Sequence, residues 1–239
     1  MLWPDTFESF GLFHALIFLV SALMWWGVVR WAGAVNGTPR EQAWRRSAAL
    51  FVWIANGAWY VRQALPEHFD WGHSLPLHLC DFAWMAAGWS LWSGGDPLRM
   101  RHQVPVLWGF SLSALGYLTP AVTVGPSRVH FWSFWICHWQ ILAVALVNVA
   151  VFGVRMNARG LLGTLALTGA LVGIATLVNL LLDTSYCFTG RAIPSNPTPL
   201  DVLGPWPLRI LWIALLGALA LVLVAWPLLA ADRRERAGS

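Results

Sequence analysis

The chain has 239 residues, 58% of them hydrophobic and 11% charged, with 18 Trp and a formal net charge of +4. Soluble domains carry about 25% charged residues, so this composition argues against a soluble enzyme and predicts an all-α integral membrane protein. The basic residues are all arginine and lie scattered with no stripe, which argues against a nucleic-acid partner; with no lysine present, a retinal Schiff base is excluded.

Seven apolar segments follow in order, at roughly 10–31, 47–65, 77–93, 104–123, 131–152, 160–182 and 208–230. Each approaches the ~20 residues that cross ~30 Å of hydrocarbon. They predict one bundle of seven transmembrane helices over residues 1–239, with an outer loop at 183–207. Eleven of the 15 arginines fall in the connections 30–46, 94–103 and 153–159 and in the carboxyl-terminal tail. The positive-inside rule then puts the amino terminus outside and the carboxyl terminus in the cytoplasm.

Polar side chains interrupt these segments with a bias in depth. The first carries His14, and the second Asn56, Arg62 and Gln63, with Asn56, Tyr60 and Gln63 on one helical face. The third opens behind Pro76, a residue suited to a first helical turn, and carries His78, Cys80 and Asp81. The fourth holds Ser113 and Tyr117 and is bent or ended by Pro120. The fifth holds Cys137 and His138. On the sixth, Gly169, Gly173, Thr176, Asn179 and Asp183 form a stripe. With helices alternating in direction, nearly all of these lie in the outer half, whereas the cytoplasmic halves read mostly as Ala, Leu, Val and Trp. Taken singly, Asn56 and Ser113 are ordinary interhelical hydrogen-bonding residues, worth about 0.6 kcal/mol each. Taken together, polar groups that are expensive in hydrocarbon predict one cavity open toward the outer leaflet, lined by His14, Tyr117, His138 and Asp183 among others. Cys80 sits about one turn and His138 about two turns below the outer surface, depths that differ by only ~6 Å.

The loop 183–207 contains five prolines and two glycines, yet also Tyr186 and Trp206. Proline and glycine bar a long helix, while the aromatics are foreign to a disordered linker. Two readings stand side by side: a lid over the outer mouth, or an aromatic anchor with Trp206 at headgroup level.

Several blocks carry a resemblance: His73-Ser-Leu-Pro-Leu-His-Leu-Cys-Asp81, Leu118-Thr-Pro120, Phe131 through His138, Asp183, Tyr186 and Pro194, and Leu203-Gly-Pro-Trp-Pro207. In this order they resemble the YwaF-like family of bacterial integral membrane proteins. That family is similar to the eukaryotic transmembrane protein 164 and distantly to androgen-induced-gene-type lipid hydrolases. The resemblance implies a seven-helix fold in a bacterial inner membrane. It also implies an acyl-transfer pair acting on phospholipids at the positions of Cys80 and His138. Ser185, where the family tends to have Asn, and Trp139, where a small residue is usual, depart from the pattern and bear on substrate shape.

The chemistry of such a pair is simple. A thiol of pKa ~8.5 becomes a nucleophile on losing its proton, which an imidazole or a helix amino terminus promotes. Attack on a lipid ester gives an acyl-cysteine, then released to water or a lysolipid. Asp183 is the candidate to orient the imidazole, and Tyr117, Arg62 or backbone N–H groups near Pro76 are candidates for the oxyanion. The remaining cavity residues expected are His14, Asn56, Gln63, His78, Asp81, Asn179, Tyr186 and Trp206. A membrane lipid is the expected partner, and no cofactor or metal is expected. Three other readings of Cys80 stay open: a buried structural cysteine, a disulfide with Cys187, or a zinc ligand with His138 and Asp183. His78 and Cys80 stand about 200° apart on a helix and do not converge on one ion; Cys137 reads as packing. From a different class, a binding or transport component would use the same cavity without covalent chemistry.

Overall fold

The computed structural model describes residues 4–191, 200 and 203–237, with side chains to residue 230. Its helices are α1 (Leu12–Val35), α2 (Glu41–Gln63), α3 (Leu79–Ser93), α4, α5 (Val129–Ala150), α6 (Ala158–Leu182) and α7 (Leu208–Ala237). Helix α4 is composite: Met100–Trp108, a π turn Gly109–Ser113, and Ala114–Leu118. A 3₁₀ turn, Tyr186–Phe188, interrupts the α6–α7 connection. Among the described residues the only sheet-like pairing is a bridge between Thr6 and Val124.

Four helices are long and apolar enough to cross a membrane: Leu12–Val35, Val129–Ala150, Ala158–Leu182 and Leu208–Ala230. Helix α5 is the buried one among them, and it packs on α1, α2, α3 and α4. The other three expose broad faces of Leu, Val and Trp, the surface that lipid would cover.

Boundaries shift from the expected ones for identifiable reasons. Helix α2 begins at Glu41 rather than near 47, because Arg45 is buried instead of lying in the connection. Its Nε and Nη2 donate to the carbonyls of Leu91 and Ser90 at the end of α3 (3.1 and 3.3 Å), and its guanidinium lies 3.9 Å over the Phe152 ring. Helix α4 ends at Leu118, just ahead of Pro120. At the start of α3, Pro76 lies in a turn closed by the Leu77 N–H on the Leu75 carbonyl (2.9 Å) rather than in the first helical turn.

Two close approaches bring α4 onto α5. A Cβ on Gly109 would stand 2.6 Å from the Ala145 Cβ, and one on Gly116 would stand 2.7 Å from the His138 ring. The pairs are seven residues apart on both antiparallel helices, so glycine lets the two backbones approach closely. One core gathers around Trp84, Leu107, Trp108 and Ile141, and a second around Phe7, Tyr117, Phe131 and Trp135. The segment before α1 belongs to the second: the Phe7 N–H donates to Thr123 and the Gly125 N–H to Asp5, both at 2.8 Å.

Candidate functional site

The start of α3 builds the site. Asp81 is the third residue of the helix, and its Oδ2 accepts the His78 N–H at 2.8 Å, covering a donor left open where the helix begins. Its other oxygen, Oδ1, accepts from the Cys80 thiol at 3.7 Å. One buried carboxylate thus caps the helix and partners the thiol. The Tyr60 phenol lies beside Asp81, and Cys137 stands in the same electrostatic neighbourhood. Tyr60 stacks on Trp84, one turn below Cys80, with ring centroids 6.3 Å apart.

His138 stands on α5. Its Nδ1 lies 2.8 Å from the Phe134 carbonyl. Only a protonated nitrogen can bond to that oxygen, so the neutral ring carries its hydrogen on Nδ1 and presents a lone pair at Nε2. The ring lies on Phe134, with centroids 4.2 Å apart. His78 has the opposite arrangement. Its Nδ1 accepts the Cys187 N–H at 3.4 Å, which leaves the hydrogen on Nε2. Neutral His138 thus carries a lone pair at Nε2, and neutral His78 an N–H at Nε2.

No direct hydrogen bond joins Cys80 and His138 among the described residues. The thiol turns to Asp81, which the helix cap fixes at its own level, and the imidazole Nδ1 is taken by Phe134. A Cβ at residue 116 would stand 2.8 Å from Nε2. Gly116→Ala is therefore expected to displace the imidazole and lower the melting temperature in detergent by a few degrees. An unchanged melt would mean that the two helices yield without cost.

Asp183 does not orient His138. Helix α6 stops at Leu182, and Asp183 takes a left-handed conformation with φ 54° and an exposed side chain. The organiser of this corner is Asn179, one turn earlier. Its Nδ2 donates to the Tyr186 carbonyl and Thr189 Oγ1 (2.8 and 2.9 Å), and its Oδ1 accepts from Thr184 Oγ1 and the Tyr186 N–H (2.9 and 2.8 Å). Tyr186 in turn donates its hydroxyl to the Trp71 carbonyl (2.7 Å) and accepts the Leu75 N–H (3.1 Å). Cys187 donates its thiol to Leu77 at 3.2 Å; burial pushes that thiol up to about 12, so it stays protonated. All three cysteines are free, so the Cys80–Cys187 disulfide is not formed.

Trp206 donates Nε1 to the Thr189 carbonyl at 3.3 Å, Arg191 lies over its ring at 5.3 Å, and Arg209 donates to the Gly190 carbonyl. The described part of the loop is thereby bonded to residues 71–78 and to α6. Residues 192–199, 201 and 202, Pro194 among them, lie outside the described residues.

His14 and Tyr117 are not part of this site. His14 accepts the Phe10 N–H at Nδ1 (2.9 Å) and meets the Tyr117 carbonyl through Nε2 (2.8 Å), and the Tyr117 hydroxyl bonds Ser21 at 3.0 Å. Both sit in the aromatic core with Phe7 and Trp135, where both ring nitrogens of His14 are used. Asn56 donates to Gln140 Oε1 at 2.6 Å and to its own helix at Val52, an interhelical clasp. Arg62 lies over the Trp59 ring at 5.8 Å and reaches Gln63 Oε1 at 3.4 Å, at the end of α2. Among the described residues no three His, Cys, Asp or Glu side chains converge as metal ligands.

The opposite end of the bundle is not the apolar region the sequence suggested. Ser90 Oγ bonds His102 Nδ1 (2.8 Å) and accepts from Asn148 Nδ2 (3.0 Å), all three buried beside Arg45. The signal was present but divided, since Asn148 sits alone in an apolar run and His102 precedes the apolar part of α4.

A family model described as the TMEM164 family matches residues 6–225. No curated protein and no solved structure matches the chain. The matched span includes α3 with Cys80, α5 with His138, the lid and most of α7; the chain belongs to the TMEM164 family.

Proposed function

We propose that the protein is a multi-pass bacterial inner-membrane enzyme that cleaves or transfers the acyl group of a phospholipid ester, with Cys80 as nucleophile and His138 as base. All seven helices cross the membrane in this reading, with the amino terminus outside and the carboxyl terminus cytoplasmic. The observation that carries the chemistry is the thiol–carboxylate contact at the head of α3, which packs on α5, the helix of His138, whose Nε2 has no hydrogen-bond partner among the described residues. The thiol proton passes to Asp81 as sulfur attacks the ester carbonyl. The C–O bond then breaks, and the departing lysolipid oxygen takes that proton. In the second half, a water or hydroxyl acceptor loses a proton to His138 Nε2 and attacks the thioester; the C–S bond breaks and sulfur regains the proton. His78 Nε2–H and the first-turn N–H groups of α3 are the donors available to an oxyanion.

Purified protein mixed with phospholipid vesicles is expected to release lysolipid or a transacylated lipid. Lipid that binds without turnover under any acceptor would overturn this reading and favour a binding or transport component. Orientation has its own check: a reporter active only in the periplasm should stay silent when fused after Ser239.

A further inference from the structure

We propose that the turn between α2 and α3 that carries Phe69 and Trp71 docks in the lipid headgroup layer, and so anchors the 184–191 loop and the head of α3 to the bilayer surface. The proposal rests on the membrane setting of the preceding reading and not on its Cys80 chemistry.

The turn is built to display its rings. The His68 and Phe69 N–H groups donate to the Leu65 carbonyl (both 2.9 Å), and the Ser74 N–H donates to the Asp70 carbonyl (2.8 Å). In return the Asp70 N–H donates to Ser74 Oγ (2.8 Å), and Asp70 Oδ1 accepts the Gly72 N–H (2.7 Å). Closed in this way, the turn holds the Phe69 and Trp71 rings edge to face, with centroids 4.8 Å apart. Both rings are nevertheless exposed, Trp71 by 57%, and Leu65 is exposed beside them in sequence. None of the bonds that close the turn uses either aromatic side chain. An apolar pair shown outward on an ordered turn marks an interaction surface, and a turn already ordered loses little freedom on binding.

The position of the turn says what covers it. Helix α6 is long and apolar enough to cross a membrane, and Leu180, Leu181 and Leu182 in its last turn are exposed. Asn179 in that same turn holds the Tyr186 N–H and carbonyl (both 2.8 Å), and the Tyr186 hydroxyl donates to the Trp71 carbonyl at 2.7 Å. Trp71 therefore stands one tyrosine side chain from the end of a membrane-crossing helix. The interfacial layer that borders the hydrocarbon is roughly 5–7 Å thick on each side. Leu75, Leu77 and Leu79, which follow the turn, pack with Val172, Ala175 and Tyr186, so the aromatic patch continues the lipid-facing surface of α6.

The polar residues of the turn set its depth. Glu67, Asp70 and His73 are exposed among the aromatics. The Gly72 N–H and His73, whose Nδ1 is 3.1 Å from Oδ2, hold the Asp70 carboxyl below the usual carboxylate range, so it stays charged at neutral pH. A charge is expensive in hydrocarbon, which stops the turn at headgroup level, where Trp with its apolar body and polar N–H is favoured. A second copy sealing the patch would bury those carboxylates, whereas hydrated headgroups leave them wet. Tyr186 also accepts the Leu75 N–H (3.1 Å), and Cys187 holds the Leu77 carbonyl (3.2 Å) and His78 Nδ1 (3.4 Å). Turn, loop and head of α3 are thus one bonded unit, and an anchor at Trp71 sets the height of Cys80 against the layer in which phospholipid esters lie.

The test uses the full chain in nanodiscs of phosphatidylethanolamine and phosphatidylglycerol. With p-benzoylphenylalanine incorporated in place of Trp71, irradiation should add the mass of one phospholipid to the protein. A covalent dimer in its place, or no lipid adduct, would overturn the proposal. Hydrogen exchange gives the second readout, on Phe69→Ser combined with Trp71→Ser. These changes keep the backbone bonds of the turn and the Tyr186 bond to the residue 71 carbonyl. Exchange at 71–78 and 184–190 should rise by about tenfold in the nanodisc, with α5 and α6 unaltered to show that the bundle is folded, and Trp71→Phe should retain most of the protection. Exchange equal to wild type in the double variant would mean that the rings anchor nothing. Neither readout involves lipid cleavage, so a failed anchor leaves the Cys80 chemistry untouched, and absent turnover leaves the anchor standing.

Discussion

Replacing Cys80 with alanine is expected to abolish lipid turnover, a loss of about 10³-fold or more, while the protein still purifies as a folded bundle. The thiol is half-buried and its one hydrogen bond is a long contact to Asp81, so its removal costs only about 1 kcal/mol of stability. The capping bond from the His78 N–H to Asp81 survives the change. His138→Ala should reduce turnover by about 10²–10⁴-fold, the range for losing a positioned base. Its signature differs from that of Cys80→Ala, since the first half-reaction is carried by Asp81 and an acyl-enzyme should accumulate. A Cys80→Ala protein that retains a tenth of wild-type turnover would remove cysteine from the mechanism.

Asn179→Leu should have the largest effect on stability and on the lid. The buried amide makes four hydrogen bonds, and leucine strands the Tyr186 N–H, while the Tyr186 carbonyl keeps the Thr189 N–H and Oγ1. A stranded buried group costs about 1–3 kcal/mol, and a loss in that range is expected. Hydrogen exchange should report it first at residues 184–190 and then at 75–78, which Tyr186 and Cys187 hold. Exchange that is unchanged at both segments would mean that the loop is held by something other than Asn179. Asp183→Asn, by contrast, should leave both turnover and exchange unaltered, because the Asp183 side chain is exposed and makes no hydrogen bond among the described residues.

What the sequence made legible follows from what each kind of signal measures. Hydropathy reports burial over twenty residues, so the apolar helices α1, α5, α6 and α7 were readable within a few positions. It fails where a polar side chain is buried with partners, and Arg45 hid the first turn of α2 in this way. Helical periodicity puts Asn56, Tyr60 and Gln63 on one face and Asn179 with Asp183 on another, yet it cannot say what lies opposite: Asn56 meets Gln140, and Asp183 is exposed. His14 and Asn179 look alike as lone polar residues in apolar segments. One is absorbed by backbone groups and aromatic rings, and the other organises a loop.

Span boundaries predict similar depths for Cys80 and His138, but they say nothing of the partner of the thiol. Asp81 is adjacent in sequence, and only the non-helical backbone of His78 (φ −77°, ψ 150°) brings its carboxylate back to both the cap N–H and the thiol. Asp183 was misassigned for a related reason. Helix α6 ends at Leu182, the predicted bound, and the left-handed backbone of Asp183 itself turns its side chain outward; no composition signal marks that turn, since glycine is absent there.

The most direct measurement is the intact mass of the protein after brief exposure to phospholipid vesicles of one acyl composition. An adduct of one acyl chain should appear on His138→Ala, be removed by neutral hydroxylamine as a thioester is, map to the peptide containing Cys80, and be absent from Cys80→Ala. An adduct that resists hydroxylamine, maps elsewhere or persists in Cys80→Ala would contradict a cysteine nucleophile at the head of α3.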